Sequence, residues 1–167
     1  ALLIPSLVLA ATRRTSTQNL GLKNLAAFLL MIQYAEGTYG ENAYRTLYGG
    51  SLFHSFGQHP NMAMSKWGIT STAAGAYQFL YSTWQALAKD IKLEDFSPAS
   101  QDKGAIQLIR SKGALPYVLQ GEIAEAVFKC RKVWASLPGA GYGQNEKNIE
   151  SLLRFYVAAG GQLTNSV

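Results

Sequence analysis

The sequence LAAFLLMIQYAEGT occupies residues 25–38 and contains the longest unbroken apolar run of the chain. Leucine and isoleucine recur along it at spacings of three and four, which is typical of one face of an α-helix, and Glu36 continues the same stripe. Gly37 follows directly, and glycine is a common residue at helix ends. The pattern predicts a helix over residues 19–36 that carries a carboxyl group at its last position.

Glu36 is a candidate general acid because of this position. Burial disfavours the charged form of a carboxyl group and raises its pKa. A carboxyl with a raised pKa keeps a proton near neutral pH, as general-acid catalysis requires. The alternative is that Glu36 lies beyond the last turn and points into water.

The composition indicates one globular domain that needs no disulfide. The chain has 167 residues, of which 48% are hydrophobic, and a formal net charge of +5. A modest basic excess suits an anionic partner, although it can also be incidental. The basic residues cluster no further than Arg13-Arg14 and Arg131-Lys132, so nucleic acid is not expected as a partner. The single cysteine, Cys130, falls in an apolar helical stripe, which favours core packing over catalysis.

The first residues form a short apolar segment with two interpretations. Residues 2–11 are too few to span a bilayer as a helix, so no stable membrane span is expected. Val8-Leu9-Ala10 would suit a signal peptidase, but no positive residues precede the segment. The alternative is an extension that packs on the body. We therefore assign residues 1–18 to an N-terminal extension with either role, and residues 19–167 to a single domain.

The remaining pattern predicts an α+β domain that is mainly α. Aromatic and β-branched residues around Gly49-Gly50 predict a small β-hairpin over residues 44–53 after the first helix, and residues 59–72 are interpreted as a loop. Ser97-Pro98 is a helix-start signal. The further helices are expected over residues 74–88, 98–113, 115–119, 122–134 and 145–159.

The candidate chemistry is that of a lone carboxylate with sugar-binding groups around it. The two histidines, His54 and His59, lack a metal-ligand spacing, and neither a metal nor a cofactor is expected. From residue 42 to residue 89 the chain has no Asp or Glu, whereas a two-carboxylate glycosidase needs a second acid beside the bond. Only Glu41 is nearby. The aromatic and amide side chains of the same region suit sugar rings.

Several motifs resemble the phage lambda lysozyme family of endolysins and, through it, the lytic transglycosylases. The resemblance covers residues 25–161, and its most specific stretch is residues 134–144. The matching motifs are Glu36-Gly37-Thr38, Gly49-Gly50-Ser51-Leu52-Phe53, His59-Pro60, residues 71–79, residues 95–102, Gly113-Ala114-Leu115-Pro116, residues 134–144 and Ala158-Ala159-Gly160-Gly161.

The resemblance implies a lysozyme-like two-lobe catalytic domain that acts as a monomer on the glycan strands of peptidoglycan. In such a family the β-1,4 bond between N-acetylmuramic acid and N-acetylglucosamine is cleaved, and the muramoyl C6 hydroxyl closes a 1,6-anhydro ring. Glu36 would protonate the leaving oxygen and then accept the proton of the attacking hydroxyl. An internal hydroxyl needs no enzymatic nucleophile, which agrees with the missing second acid.

The resemblance also implies substrate-binding residues and a location. Tyr77, Gln78 and Phe79 fall in a Gly-x-x-Gln-like sugar-binding element, although core packing is the alternative for Tyr77 and Phe79. Tyr142 and Gln144 would face the cleft near Glu36. A phage-encoded enzyme of this type is made in the host cytoplasm and acts on periplasmic peptidoglycan.

Two features depart from the family pattern, and two other functions stay open. Arg45 follows Tyr44 where the family has an acidic residue, and the N-terminal extension has no counterpart. The alternatives are a hydrolytic muramidase, in which Glu41 positions a water, and a wall-binding module without catalysis.

Overall fold

The computed structural model describes residues 15–164, and the apolar run forms its longest helix, α1 (Ser16–Glu36). Thr15 caps it: the Thr15 hydroxyl accepts from the Gln18 N–H, and the Gln18 side chain accepts from the Thr15 N–H. This capping box starts the helix three residues earlier than predicted. The proposed roles of residues 1–14, export or packing, lie outside the described residues.

The C-terminal end of α1 is fixed by Gly37. Its φ of 74° is left-handed, and its N–H donates to the Tyr34 carbonyl. A left-handed residue after the last turn ends a helix sharply. Glu36 is therefore held at the terminus of the helix, as the sequence predicts.

Five further helices surround α1 in the described part of the chain, and α1 packs against two of them, α4 and α6. Tyr34 of α1 stacks on Phe155 of α6 with ring centroids 4.5 Å apart, and Asn24 donates to the Leu119 carbonyl of α4. The helices are α2 (Tyr81–Ile91), α3 (Pro98–Ser111), α4 (Leu115–Gln120), α5 (Ile123–Cys130) and α6 (Ile149–Ala158).

The start of α3 is confirmed, whereas the start of α2 was predicted wrongly. Ser97 caps α3, with Pro98 as its first residue. Residues 74–79, predicted as helix, form a tight turn in which Ala74 and Phe79 exchange two backbone hydrogen bonds. Gly75 and Gln78 both have positive φ there, 80° and 49°, which no α-helix accommodates. The turn buries every one of these residues except Gln78, which is partly exposed.

The small sheet lies later in the chain than predicted. It is an antiparallel pair, β1 (Met64–Lys66) and β2 (Ile69–Ser71), in a segment interpreted as loop. The segment around Gly49-Gly50, predicted as the hairpin, has a 3-10 turn, one internal bridge between Thr46 and Leu52, and a bridge from Leu47 to Ala74. The fold class is nevertheless confirmed as mainly helical with a small two-stranded sheet.

The core is continuous from α1 to the aromatic residues around the 74–79 turn. Phe28, Met31 and Ile32 of α1 are fully buried, and so is Cys130, as predicted. Phe79 contacts Trp84 with ring centroids 5.0 Å apart. Between residues 15 and 164, no helix has the length and hydropathy to cross a bilayer.

Candidate active site

A cavity of about 540 Å³ opens at the C-terminal end of α1, with Glu36 in its wall. Four other segments complete the lining: residues 46–50, the β1–β2 hairpin, Gln78 and the loop over residues 136–147. The fold thus brings the predicted candidate acid to a concave surface and excludes the alternative in which Glu36 points into bulk water. Its side chain is half-buried and reaches the cavity.

Ser136 is the hydrogen-bond partner of Glu36. The Ser136 hydroxyl donates to Glu36 Oε1, although the two residues are 100 positions apart in the chain. Burial raises the pKa of Glu36 to about 6, and the hydrogen bonds from Ser136 limit the rise. The C-terminus of a helix also disfavours a negative charge. Glu36 therefore keeps a proton at mildly acidic pH and gives it up near neutrality.

Glu36 is the only acidic residue in the cavity lining formed by residues 15–164. Glu41 is exposed and lies outside that lining. Lys66 and Lys147 do line the cavity, which gives it a cationic character. The same part of the chain holds no group of three or more His, Cys, Asp or Glu residues suited to a metal ion. The cavity therefore combines one proton donor with two cations and lacks a second carboxylate.

The structure places Gln78 and Gln144 in the cavity lining, but not Tyr142. Gln78 Nε2 donates to the carbonyls of Thr46 and Gly75, each at 3.0 Å, so this side chain also fixes the 46–50 wall. Tyr142 is 55% exposed, and its hydroxyl donates to the Lys132 carbonyl at 3.0 Å. As placed, Tyr142 anchors the loop rather than lining the cavity.

Tyr77 and Phe79, predicted to bind substrate, are placed in the core with exposed fractions of 1% and 2%. The 74–79 turn buries both of them and leaves Gln78, its one partly exposed residue, at the cavity. The Tyr77 hydroxyl donates to Asp102 at 2.6 Å and accepts from Gln33 at 3.3 Å. Burial and the nearby Asp102 carboxylate raise the pKa of Tyr77. From these positions, both side chains support the site and do not reach the cavity.

Sequence reasoning missed two polar residues that hold the site together. Ser136 lies within the most specific motif of the chain, but no local pattern pairs it with Glu36. Thr38 is buried, and its hydroxyl donates to the Ala76 carbonyl at 2.6 Å. This bond connects the end of α1 to the 74–79 turn. The Glu36-Gly37-Thr38 motif was the available signal for Thr38.

The loop over residues 136–147 is held by a carboxylate at its base. Glu146 accepts from the N–H groups of Gly139 and Gly141 at 2.9 and 2.7 Å. These bonds keep the pKa of Glu146 below its usual range. The Lys132 ammonium donates to the Ala140 carbonyl of the same loop. Gln144 therefore enters the cavity from a pre-organised loop.

A family model described as Endolysin matches residues 26–163. The chain belongs to the endolysin family. It is 42% identical to the endolysin of Escherichia phage lambda, over 81% of this chain and 90% of the relative. It is 41% identical to the endolysin of Escherichia phage P2, over 83% of this chain and 94% of the relative.

The endolysin fold also has solved counterparts. Bacteriophage lambda lysozyme complexed with a chitohexasaccharide superposes with a TM-score of 0.82 at 40% identity, covering 85% of this chain and 97% of that one. A second structure of bacteriophage lambda lysozyme gives a TM-score of 0.77 with the same identity and coverage. The resemblance noted in the sequence is confirmed. The chain is a lysozyme-like endolysin, in a family of phage enzymes that degrade peptidoglycan.

Proposed function

We propose that this endolysin is a peptidoglycan lytic transglycosylase. It cleaves the β-1,4 bond between N-acetylmuramic acid and N-acetylglucosamine and leaves a 1,6-anhydromuramoyl end. The observation that carries the proposal is that Glu36, a proton donor with a pKa near 6, lines the cavity, and that no other described lining residue carries a carboxylate. Retaining and inverting glycosidases of the two-carboxylate type need that second group as nucleophile or base.

One carboxyl group is sufficient when the substrate supplies its own nucleophile. Glu36 donates its proton to the glycosidic oxygen as the C1–O bond breaks. The C6 hydroxyl of the muramoyl residue then bonds to C1, and its proton passes to the Glu36 carboxylate. The enzyme returns to its starting protonation state, and no water is consumed. A well-oriented internal hydroxyl has an effective concentration of about 10⁵ M or more, so a bound water offers little competition.

The rest of the lining fits a glycan strand. Gln78 and Gln144 place amide groups at the cavity, and amides match sugar hydroxyl and acetamido groups. Lys66 and Lys147 suit the carboxylates of a peptidoglycan strand. The lambda lysozyme structure with its chitohexasaccharide supports a glycan ligand for the shared fold. The proposed setting is a monomer made in the host cytoplasm that acts on periplasmic peptidoglycan.

Product analysis tests the proposal. Purified peptidoglycan is digested in ¹⁸O-labelled water, and the released muropeptides are analysed by mass spectrometry. We expect 1,6-anhydro ends, lighter than reducing ends by one water and free of ¹⁸O. Reducing ends that carry ¹⁸O would identify a hydrolytic muramidase instead. Binding to the wall without any released product would identify a wall-binding module.

Ser136→Ala is expected to move the pH profile of the enzyme. Glu36 must be protonated to act, so kcat/KM falls as the pH rises through the pKa of Glu36, about 6. The hydrogen bond from the Ser136 hydroxyl favours the charged carboxylate, so its loss raises the pKa of Glu36 further, whereas the backbone hydrogen bond of residue 136 remains. The alkaline limb should therefore shift to higher pH, with kcat lowered about tenfold because the carboxyl is less well oriented.

The pH dependence of kcat/KM measures this shift directly. Ser111→Ala is a matched control, because Ser111 is an exposed serine whose hydroxyl bonds only to the nearby Leu108 carbonyl. An alkaline limb that stays in place in Ser136→Ala would show that Ser136 does not set the protonation of the catalytic acid.

A further inference from the structure

We propose that Trp67, at the tip of the β1–β2 hairpin, is a stacking platform for one pyranose ring of the bound glycan. The inference rests on the proposed function only in taking a glycan strand as the ligand of the Glu36 cavity. Trp67 lines that cavity, yet 84% of its surface is exposed. The other two tryptophans, Trp84 and Trp134, are 5% and 3% exposed. An indole ring left in water beside an active-site cavity is available to a ligand.

The backbone at Trp67 is unfavourable for a tryptophan. Trp67 and Gly68 form the two-residue turn of the hairpin, and both have positive φ, 52° and 76°. Such turns favour Asn or Gly at the first position, because a side chain with Cβ is strained there. Burial does not offset this strain, because the ring is exposed. The folded chain alone therefore gives little reason for an indole at this position.

One intramolecular contact orients the ring. The Lys66 ammonium lies 4.2 Å from the centroid of the Trp67 ring, within the range of a cation–π interaction. The same ammonium donates to the Gly49 carbonyl at 3.4 Å, in the neighbouring wall of the cavity. Lys66 thus covers one face of the indole and ties it to residues 46–50. The opposite face is left for a ligand.

The chemistry of the exposed face selects a sugar ring. A pyranose presents a flat apolar face of C–H groups, and an indole buries that face without competing for its hydroxyl groups. The hairpin has one other exposed apolar side chain that lines the cavity, Ile69 with 43% exposure, and it lacks the flat face of an indole ring. We therefore assign to Trp67 a single-ring subsite at the hairpin wall of the cavity.

Binding of chitohexasaccharide to a Glu36→Gln background measures this subsite without catalysis. Trp67→Ala in that background should weaken the affinity about tenfold, and Trp67→Phe about threefold, following the apolar area each removes. Phe128→Ala is the matched control, because Phe128 is an aromatic residue with 55% exposure outside the cavity lining. It should leave the affinity unchanged.

Fluorescence reports on the ring itself. Trp67 is the accessible tryptophan of the three, so acrylamide quenching follows mainly its environment. Addition of chitohexasaccharide should lower the quenching and shift the emission to shorter wavelength. Both changes should vanish in Trp67→Ala and persist in Phe128→Ala.

Trp67→Asn separates a ligand-binding role from a structural one. Asparagine tolerates positive φ better than tryptophan, so the melting temperature should stay equal or rise while the affinity falls about tenfold.

Unchanged hexasaccharide affinity in Trp67→Ala, or hexasaccharide binding without protection from acrylamide, overturns the inference while the proposed reaction stands. Conversely, reducing-end products would reject the transglycosylase reaction and leave a positive Trp67 result intact. If neither chitohexasaccharide nor isolated glycan strands bind, both are rejected.

Discussion

Glu36→Gln is expected to lower kcat on purified peptidoglycan by about 10³-fold or more, because the substitution removes the proposed general acid–base group. Glutamine keeps the size of the side chain and can still accept the Ser136 hydrogen bond, but it has no proton to transfer. KM should change little, because the ground-state contacts of the cavity remain. The measurement is the initial rate of soluble muropeptide release, with circular dichroism as the check on folding.

Glu41→Gln is the matched control for this loss. Glu41 is exposed, lies outside the cavity lining and is close to Glu36 in sequence. Its replacement should leave the rate within about twofold of the parent, as is usual for surface substitutions away from a site. A loss in Glu41→Gln as large as that in Glu36→Gln would favour a hydrolytic mechanism with two carboxylates. Full activity in Glu36→Gln would remove Glu36 from the chemistry altogether.

Glu36→Gln should also stabilise the protein at neutral pH. The folded state raises the pKa of Glu36 from 4.5 to about 6, so folding favours the protonated form. The corresponding stability is complete below pH 4.5 and is lost as the pH rises through about 6. A difference of 1.5 pKa units corresponds to at most about 2 kcal/mol. Urea unfolding at about pH 4 and about pH 8 should show the advantage of Glu36→Gln only at the higher pH.

The position of the catalytic candidate could be predicted because its signals are local. The spacing of the apolar residues sets the face of α1, and Gly37 sets its end, so Glu36 is placed by neighbours within one helical turn. Ser97-Pro98 located the start of α3 in the same way. In each case, the residues that form the element also carry the signal.

Contacts between residues distant in sequence could not be predicted, and neither could the short hairpin or the 74–79 turn. Ser136 contacts Glu36 across 100 positions of the chain, and no local pattern indicates such a contact. The strands β1 and β2 have only three residues each and no fully buried side chain, so they are too short to show the alternation that identifies a half-buried strand. Tyr77 lies on an apparent helical stripe, but the positive φ of Gly75 and Gln78 turns the chain back. Tertiary contacts, not the local sequence, determined these outcomes.

Gly75→Ala is expected to destabilise the protein by about 4 kcal/mol, because it combines backbone strain with the displacement of a buried amide. Gly75 has a φ of 80°, and an added Cβ would lie 2.2 Å from Gln101 Oε1 and 2.8 Å from Gln101 Cδ. Gln101 is completely buried. Its oxygen accepts from the Ala76 N–H at 2.9 Å, and its nitrogen donates to the carbonyls of Tyr44 and Phe96 at 3.0 and 2.8 Å.

Gln101 cannot move without leaving these backbone groups unpaired inside the protein, and each unpaired group costs about 1–3 kcal/mol. Gly113→Ala is the matched control: its φ of 66° imposes similar strain, but nothing lies within 4 Å of the added Cβ. In urea unfolding, the free energy of unfolding of this control should fall by only about 1 kcal/mol. An equal loss of unfolding free energy in the two variants would mean that the Gln101 side chain can move aside at little cost and does not clamp α3 to the 74–79 turn. A larger loss in Gly75→Ala should be accompanied by lower activity, because the Gly75 carbonyl also accepts from Gln78 Nε2 at the cavity wall.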